Sequence, residues 1–226
     1  MRRGALLALL AVLATGCGSG SSSGKATVWI TRDRGSHVLH VAQVPAGLTA
    51  MQGLSRVAKV ESRYGGRYVR AVDDLREHGR TSWFYYVNGY LADRSAAEYR
   101  LRRGDVEWWD YRSWRDPAQD PVVVGSFPEP FLHGYDGHRR RTVIVAAEPG
   151  RVRALARRLH ARVAPPGAGL PARDVNVISI APAAGTTAGV TYTGATSPGS
   201  PVRLVFNGDP ELLLRRWPFR FRYSLP

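Results

Sequence analysis

The spacing of hydrophobic and polar positions changes several times along the chain, and each change marks an element. From Ala26 to Arg32, Val28 and Ile30 alternate with Thr27, Trp29 and Thr31, which predicts a strand. Asp33-Arg34-Gly35-Ser36 breaks it, and Val38 to Val44 reads as a second strand. After Pro45-Ala46-Gly47 the period lengthens. Met51, Leu54, Val57 and Ala58 fall at helical spacing behind Thr49, with Gln52 placed for a capping box. The helix is expected to end at Arg63 to Gly66, before a short strand from Tyr68 to Val72 and a charged loop from Asp73 to Arg80. Trp83 to Val87 is rich in β-formers, and Asn88-Gly89 suits a hairpin turn because both positions tolerate positive φ. Ala96 to Leu101 leads to the turn Arg103-Gly104-Asp105, and Val106 to Trp114 is the last strand of this half. One helix against a mixed sheet of about five strands, in the order β-β-α-β-β-β, predicts an α+β, β-grasp-like unit over residues 27–115.

Residues 116–140 form a connector containing Pro117, Pro121, Pro128 and Pro130. Val122-Val123-Val124 is expected to add an edge strand, and Phe127 and Phe131 to pack back on a domain surface. Residues 141–226 predict a small α/β sandwich-type domain. Thr142 to Ala147 is a strand, and Pro149 suits the first turn of a helix. Val152, Leu155, Ala156, Leu159 and Val163 form an apolar stripe, with most of the arginines from Arg151 to Arg162 off it. Pro165-Pro166-Gly167 is expected to stop that helix. Strands follow at Val175 to Ile180, Thr187 to Tyr192 and Val202 to Phe206. Asp209 caps a short helix, and Phe219 to Tyr223 is a final strand with Phe219, Phe221 and Tyr223 inward.

Composition then alters the picture at the N-terminus. Arg2-Arg3, an apolar run from Ala5 to Ala14 and a small-residue site have the form of a secretory signal over residues 1–16. The run is too short to span a bilayer, which needs about 20 apolar residues. The single cysteine follows directly, and Leu13-Ala14-Thr15-Gly16-Cys17 resembles a bacterial lipoprotein signal. The resemblance implies lipidation at Cys17 and anchoring at the extracytoplasmic face of the cell membrane. An ordinary secretory signal with an incidental cysteine is the alternative. Residues 17–26 read as a Gly/Ser tether that lifts a folded part off the membrane.

The net charge of +14 falls to +12 once Arg2 and Arg3 are removed. Nearly all of the basic residues are arginine; Lys25 and Lys59 are the only lysines. Codon bias and attraction to an anionic lipid or wall polymer both account for this. An exported chain gives no reason to expect nucleic acid as a partner. One cysteine excludes an intrachain disulfide.

The first half also resembles a known family. Trp83-Phe84-Tyr85-Tyr86-Val87-Asn88-Gly89, then Ala96-Ala97-Glu98-Tyr99-Arg100-Leu101, then Gly104-Asp105-Val106-Glu107-Trp108, follow the pattern of the transcobalamin-like C-terminal domain family of bacterial surface proteins. Pro45-Ala46-Gly47-Leu48-Thr49 looks like that family's strand-to-helix junction. The resemblance covers about residues 27–114, under half of the chain. In cobalamin carriers the similar domain closes over a corrinoid held mainly by a larger helical domain. The second half here is too short and too strand-rich to supply one. The resemblance therefore implies a binding module, with a corrinoid as one candidate ligand and no resident cofactor.

The candidate ligand-binding residues are Trp83, Tyr85, Tyr86, Asn88, Trp108, Trp109 and Tyr111, concentrated on two neighbouring strands. Faces alternate along a strand, so these side chains cannot all enter one core. One face is expected to meet the helix and the other to be partly exposed, where it could stack on a flat macrocycle, a sugar or a partner. The alternative is that the connector and second half cover it. No Gly-x-Ser-x-Gly elbow or Walker loop is present, and no two histidines take helical metal-pair spacing. The expected function is therefore non-enzymatic: binding of a soluble planar ligand at the cell envelope, or a protein-interaction or structural role without a small ligand.

Overall fold

In the computed structural model, which describes residues 24–115, 122–169, 174–181, 185–192 and 197–223, the fold is mixed α+β and dominated by strands. The expected signal segment, Cys17 and most of the tether lie outside the described residues. β1 (Lys25–Arg32) and β2 (His37–Pro45) pair antiparallel as the alternation predicts. Thr49 then caps α1 (Ala50–Ser55). The Gln52 amide donates to Thr49 Oγ1 at 3.2 Å, and the Thr49 amide donates to Gln52 Oε1 at 2.9 Å. Thr49→Ala removes this box and is expected to cost about 1 kcal/mol of unfolding free energy in urea titration.

α1 ends earlier than the spacing of Val57 and Ala58 suggests. The chain turns at Tyr64-Gly65-Gly66, where φ values of 53°, 66° and 83° reverse it. This makes a hairpin of β3 (Val60–Arg63) and β4 (Tyr68–Val72), and β5 (Leu75–Arg76) extends it into a three-stranded side sheet in place of the expected charged loop. β6 (Thr81–Val87) and β7 (Tyr90–Leu91) flank Asn88-Gly89, whose φ values of 50° and 85° fit the predicted hairpin turn. With β8 (Val106–Ser113) they complete a five-stranded sheet ordered β2-β1-β8-β6-β7, in which β1 and β8 run parallel. The fifth strand is β7, because Tyr68 to Val72 belongs to the side sheet.

Val122-Val123-Val124 does not form an edge strand. It is one helical turn, α2 (Val122–Gly125), and all three valines are buried. A strand would send alternate valines to opposite faces. Phe127 and Phe131 pack inward beyond it. β9 (Arg141–Ala146), α3 (Pro149–Leu159) and β10 (Arg162–Ala164) form a parallel strand-helix-strand unit. α3 buries Val152, Leu155, Ala156 and Leu159 as predicted. It stops at His160, which turns left-handed at φ 48°, so Val163 lies in β10 and not on the helix stripe. β11 (Val175–Ala181), β12 (Thr187–Tyr192) and β13 (Val202–Asn207) complete a second sheet ordered β10-β9-β11-β13-β12, with β12 antiparallel to β13. α4 (Leu212–Arg215) follows, and Asp209 accepts from the Glu211 amide at 3.1 Å just ahead of it.

The final segment departs most from expectation. Phe219 to Tyr223 is not a strand of the second sheet but lies across the first one. Phe221 is left-handed at φ 66°, which breaks the period-two pattern of Phe, Arg, Phe, Arg, Tyr. The Phe221 amide donates to the Gly125 carbonyl at 2.9 Å, and the Tyr223 amide to the Arg34 carbonyl at 3.4 Å. Two glycines permit this approach. A Cβ on Gly35, whose φ is 74°, would sit 1.3 Å from the Phe221 carbonyl oxygen, and one on Gly125 would sit 2.6 Å from that of Arg222. Buried side chains of both halves, including Leu54, Trp109, Val123, Phe131, Ile144 and Phe206, belong to one continuous apolar cluster.

Candidate functional site

β6 and β8 are paired so that Tyr85 faces Trp109, Trp83 faces Tyr111 and Tyr86 faces Trp108. The pleat splits the seven expected residues over two sides. On the first side, Tyr85 and Trp109 stack at 4.9 Å between ring centroids, and Trp83 and Tyr111 lie 5.1 Å apart. Their polar tips are occupied. Trp83 Nε1 donates to the Leu75 carbonyl at 3.0 Å, and the Tyr111 hydroxyl to the Arg76 carbonyl at 2.6 Å. The Tyr85 hydroxyl donates to the Arg94 carbonyl, and Trp109 Nε1 to Glu107 Oε1 at 2.5 Å.

The second side, expected to be partly exposed unless the connector and second half covered it, is covered. Tyr86 and Trp108 are fully buried with Trp29, Val122 and Tyr223. A polar network seals the contact. Thr31 Oγ1 donates to Asp110 Oδ1 at 2.5 Å, the Tyr223 hydroxyl donates to Asp110 Oδ2, and Arg112 donates to the Tyr86 hydroxyl at 2.6 Å. Burial pushes the Asp110 carboxyl above its ordinary range, and the Thr31 and Tyr223 hydrogen bonds oppose that. The C-terminal segment that covers this face comes from more than 100 residues away in sequence, and no local signal in β6 or β8 announces it.

Asn88 is also committed internally. Its Nδ2 donates to Asp105 Oδ1 and to the Gly134 carbonyl, each at 2.8 Å, and its Oδ1 accepts from the Val106 amide at 2.8 Å. Both donor positions of the amide are thus filled.

The open aromatic surface lies at the end of these strands. Tyr68, Glu77, His78, Ser82, Trp83 and Phe84 line a cleft of about 570 Å³ between the side sheet and β6, with Trp114 at its rim. The Trp114 side chain is 62% exposed, yet its backbone is fixed by donation from its amide to the Arg80 carbonyl at 2.9 Å. The Tyr68 hydroxyl donates to Glu77 Oε2 at 2.5 Å and lies 3.0 Å from Ser82 Oγ. Partial burial and the Glu77 bond push the Tyr68 hydroxyl pKa upward, so it remains a neutral donor. The cleft therefore offers an aromatic wall for stacking beside a carboxylate and hydroxyls that can orient a polar edge. Of the seven expected residues only Trp83 lines it. Trp114 was legible only as the end of a strand. A sixth-residue aromatic step beyond Trp108, next to a polar loop, was the available signal.

The connector histidine His133 pairs with Glu129, its Nδ1 lying 2.5 Å from Oε1. Among the described residues no group of three or more His, Cys, Asp or Glu side chains could hold a metal ion. None of the described helices is long and apolar enough to cross a membrane.

No curated protein matches the chain. A solved structure of a candidate metal-binding protein from Ruminococcus gnavus is similar over 40% of this chain and 97% of that one, at 17% identity and a TM-score of 0.33. Residues 47–113, which run from just before α1 to the end of β8 and include the cleft lining up to Phe84, match the family described as Domain of unknown function (DUF4430).

Proposed function

We propose that this chain is a non-enzymatic binding protein of the cell envelope, anchored through Cys17, whose first sheet holds a small planar ligand in the cleft beside Trp83 and Trp114. The observation that carries this reading is an exposed tryptophan on a fixed backbone at the mouth of a cleft with an aromatic floor. An exposed indole presents a flat apolar face suited to a ring. The order β2-β1-β8-β6-β7, with α1 between β2 and the later strands, supports a β-grasp-like unit of the transcobalamin-like kind. That resemblance keeps corrinoids among the ligands to be tried, alongside haem and glycans.

The test is thermal-shift screening of the full chain against cobalamin, cobinamide, haem and a glycan set. A ligand at about 100 times its dissociation constant stabilises by about 2.7 kcal/mol, which gives a readable shift. Silence from the whole panel would favour the second reading, a protein-interaction module. One observation supports that reading: Val38, Leu39 and Val41 are exposed on β2, an edge strand with an unpaired outer side.

A further inference from the structure

A second concavity lies where the two halves meet. It has a volume of about 430 Å³, and Arg158 of α3, Arg215 of α4, Arg216 and Arg220 all line it, together with Trp29 of β1 and Trp217. Arg158 comes from one stretch of chain and Arg215, Arg216 and Arg220 from another. Arg158 donates to the Leu214 carbonyl at 3.0 Å, and Arg215 lies 3.4 Å from Glu211. Arg220 stacks over the Trp29 ring at 5.4 Å. Arg216 is exposed, and no ion pair to it is found among the described residues. The one carboxylate in the lining, Glu129, already accepts from the His133 amide at 2.9 Å and is held by the His133 ring. Four exposed guanidinium groups thus line one groove, and only Arg215 of the four has an ion pair among the described residues.

Trp29 is only 4% exposed, and its buried Nε1–H has no hydrogen-bond partner. A buried donor left unsatisfied is costly, and this one is enclosed by protein on the groove's inner wall. Guanidinium forks match the geometry of phosphate oxygens, and the aromatic walls of Trp29 and Trp217 leave room for an organic group attached to the phosphate.

We infer that this groove is a binding site for a phosphate group carried on an organic molecule, held by Arg158, Arg216 and Arg220 beside the Trp29 ring. The site is separate from the Trp114 cleft and does not depend on it. A free organic phosphate and a phospholipid headgroup share this chemistry.

The test follows the indole N–H resonance of Trp29, identified by its loss in Trp29→Phe, while the labelled full chain is titrated with pyrophosphate and with glycerol phosphate. A saturable shift is expected. The double variant Arg216→Ala with Arg220→Ala should bind at least about tenfold more weakly, since one charge-assisted contact carries about that factor. Arg153→Ala with Arg157→Ala, on the outer side of α3, should bind as the parent does. Co-sedimentation with phosphatidylglycerol vesicles separates the two sources. Loss of vesicle binding in the Arg216/Arg220 variant assigns the headgroup, and soluble binding without vesicle binding assigns a free phosphate. An unmoved Trp29 resonance at millimolar pyrophosphate, or equal weakening in both double variants, would overturn the inference. Dispersed spectra of each variant verify that it remains folded.

Discussion

Replacing Tyr223 with alanine is expected to lower the unfolding free energy by about 3–5 kcal/mol, the range for an aromatic side chain deleted from a packed core. Tyr223 is fully buried, its ring meets Trp108 edge-on at 5.3 Å, and its hydroxyl donates to the buried Asp110. Alanine would open a cavity against Trp108 and Tyr86 and leave Asp110 short of one donor. Tyr223→Phe keeps the ring and removes only the hydroxyl, so its cost is about 1–2 kcal/mol. Urea midpoints measure both, and the near-ultraviolet dichroism of Trp108 should change in the alanine variant alone. A Tyr223→Ala variant within about 0.5 kcal/mol of the parent would mean that the C-terminal segment does not close the sheet.

Glu107→Gln is expected to stabilise the protein, and to do so more as pH rises. Glu107 is fully buried against α1, its Oε1 accepts from Trp109, and its Oε2 has no partner. Burial, first, and the charge of Asp105 push its carboxyl well above the ordinary range, with the Trp109 bond opposing. The folded state therefore keeps a proton that the unfolded state releases. Below the unfolded pKa both states are protonated and the group exerts no pH effect. As pH rises through the ordinary glutamate range towards the raised folded value, proton loss from the unfolded chain lowers stability. Glutamine mimics the neutral acid at every pH. The two proteins should match within about 0.5 kcal/mol near pH 4, and the variant should lead by about 3 kcal/mol at pH 8, the scale of a buried, incompletely satisfied charge. Thermal melts across that range measure the gap. A gap that is constant with pH would show that Glu107 does not change protonation between the two states.

What was legible in the sequence was what neighbouring residues decide. Thr49 with Gln52 and Asn88 with Gly89 specify a cap and a turn within a few positions, and both are present. The apolar stripe of α3 was readable for the same reason. The boundaries that shifted depend on partners far away. Val60 to Arg63 becomes a strand only because Tyr68 to Val72 folds back on it. Phe219 to Tyr223 kept a strand's alternation, yet its partners are Asp110, Gly35 and Gly125 on the first sheet and connector. The same distance hid the candidate site. An alternating aromatic pair of strands has two faces, and no local feature states that a segment over 100 residues later will cover one of them. Once it does, Tyr86 and Trp108 become core, and the surface left for a ligand moves to the strand ends at Trp114.

This division of labour also explains why aromatic content alone was ambiguous. Trp109 is buried and Tyr85 and Tyr111 are half-buried against the core, and all three place their polar tips on backbone carbonyls or a carboxylate, which is sufficient reason for an aromatic residue at each position. Trp114 has no such tie, because its indole is exposed and only its backbone is held.

The most direct measurement is therefore a side-by-side thermal shift of the parent and Trp114→Ala with the corrinoid, haem and glycan panel. Removing an exposed indole should leave the unliganded melting temperature nearly unchanged, since surface substitutions usually fall within about 0.5 kcal/mol. At least one planar ligand should raise the parent's melting temperature, and the shift should be largely lost in Trp114→Ala. An equal shift in both proteins, or no shift with any member of the panel, would contradict it.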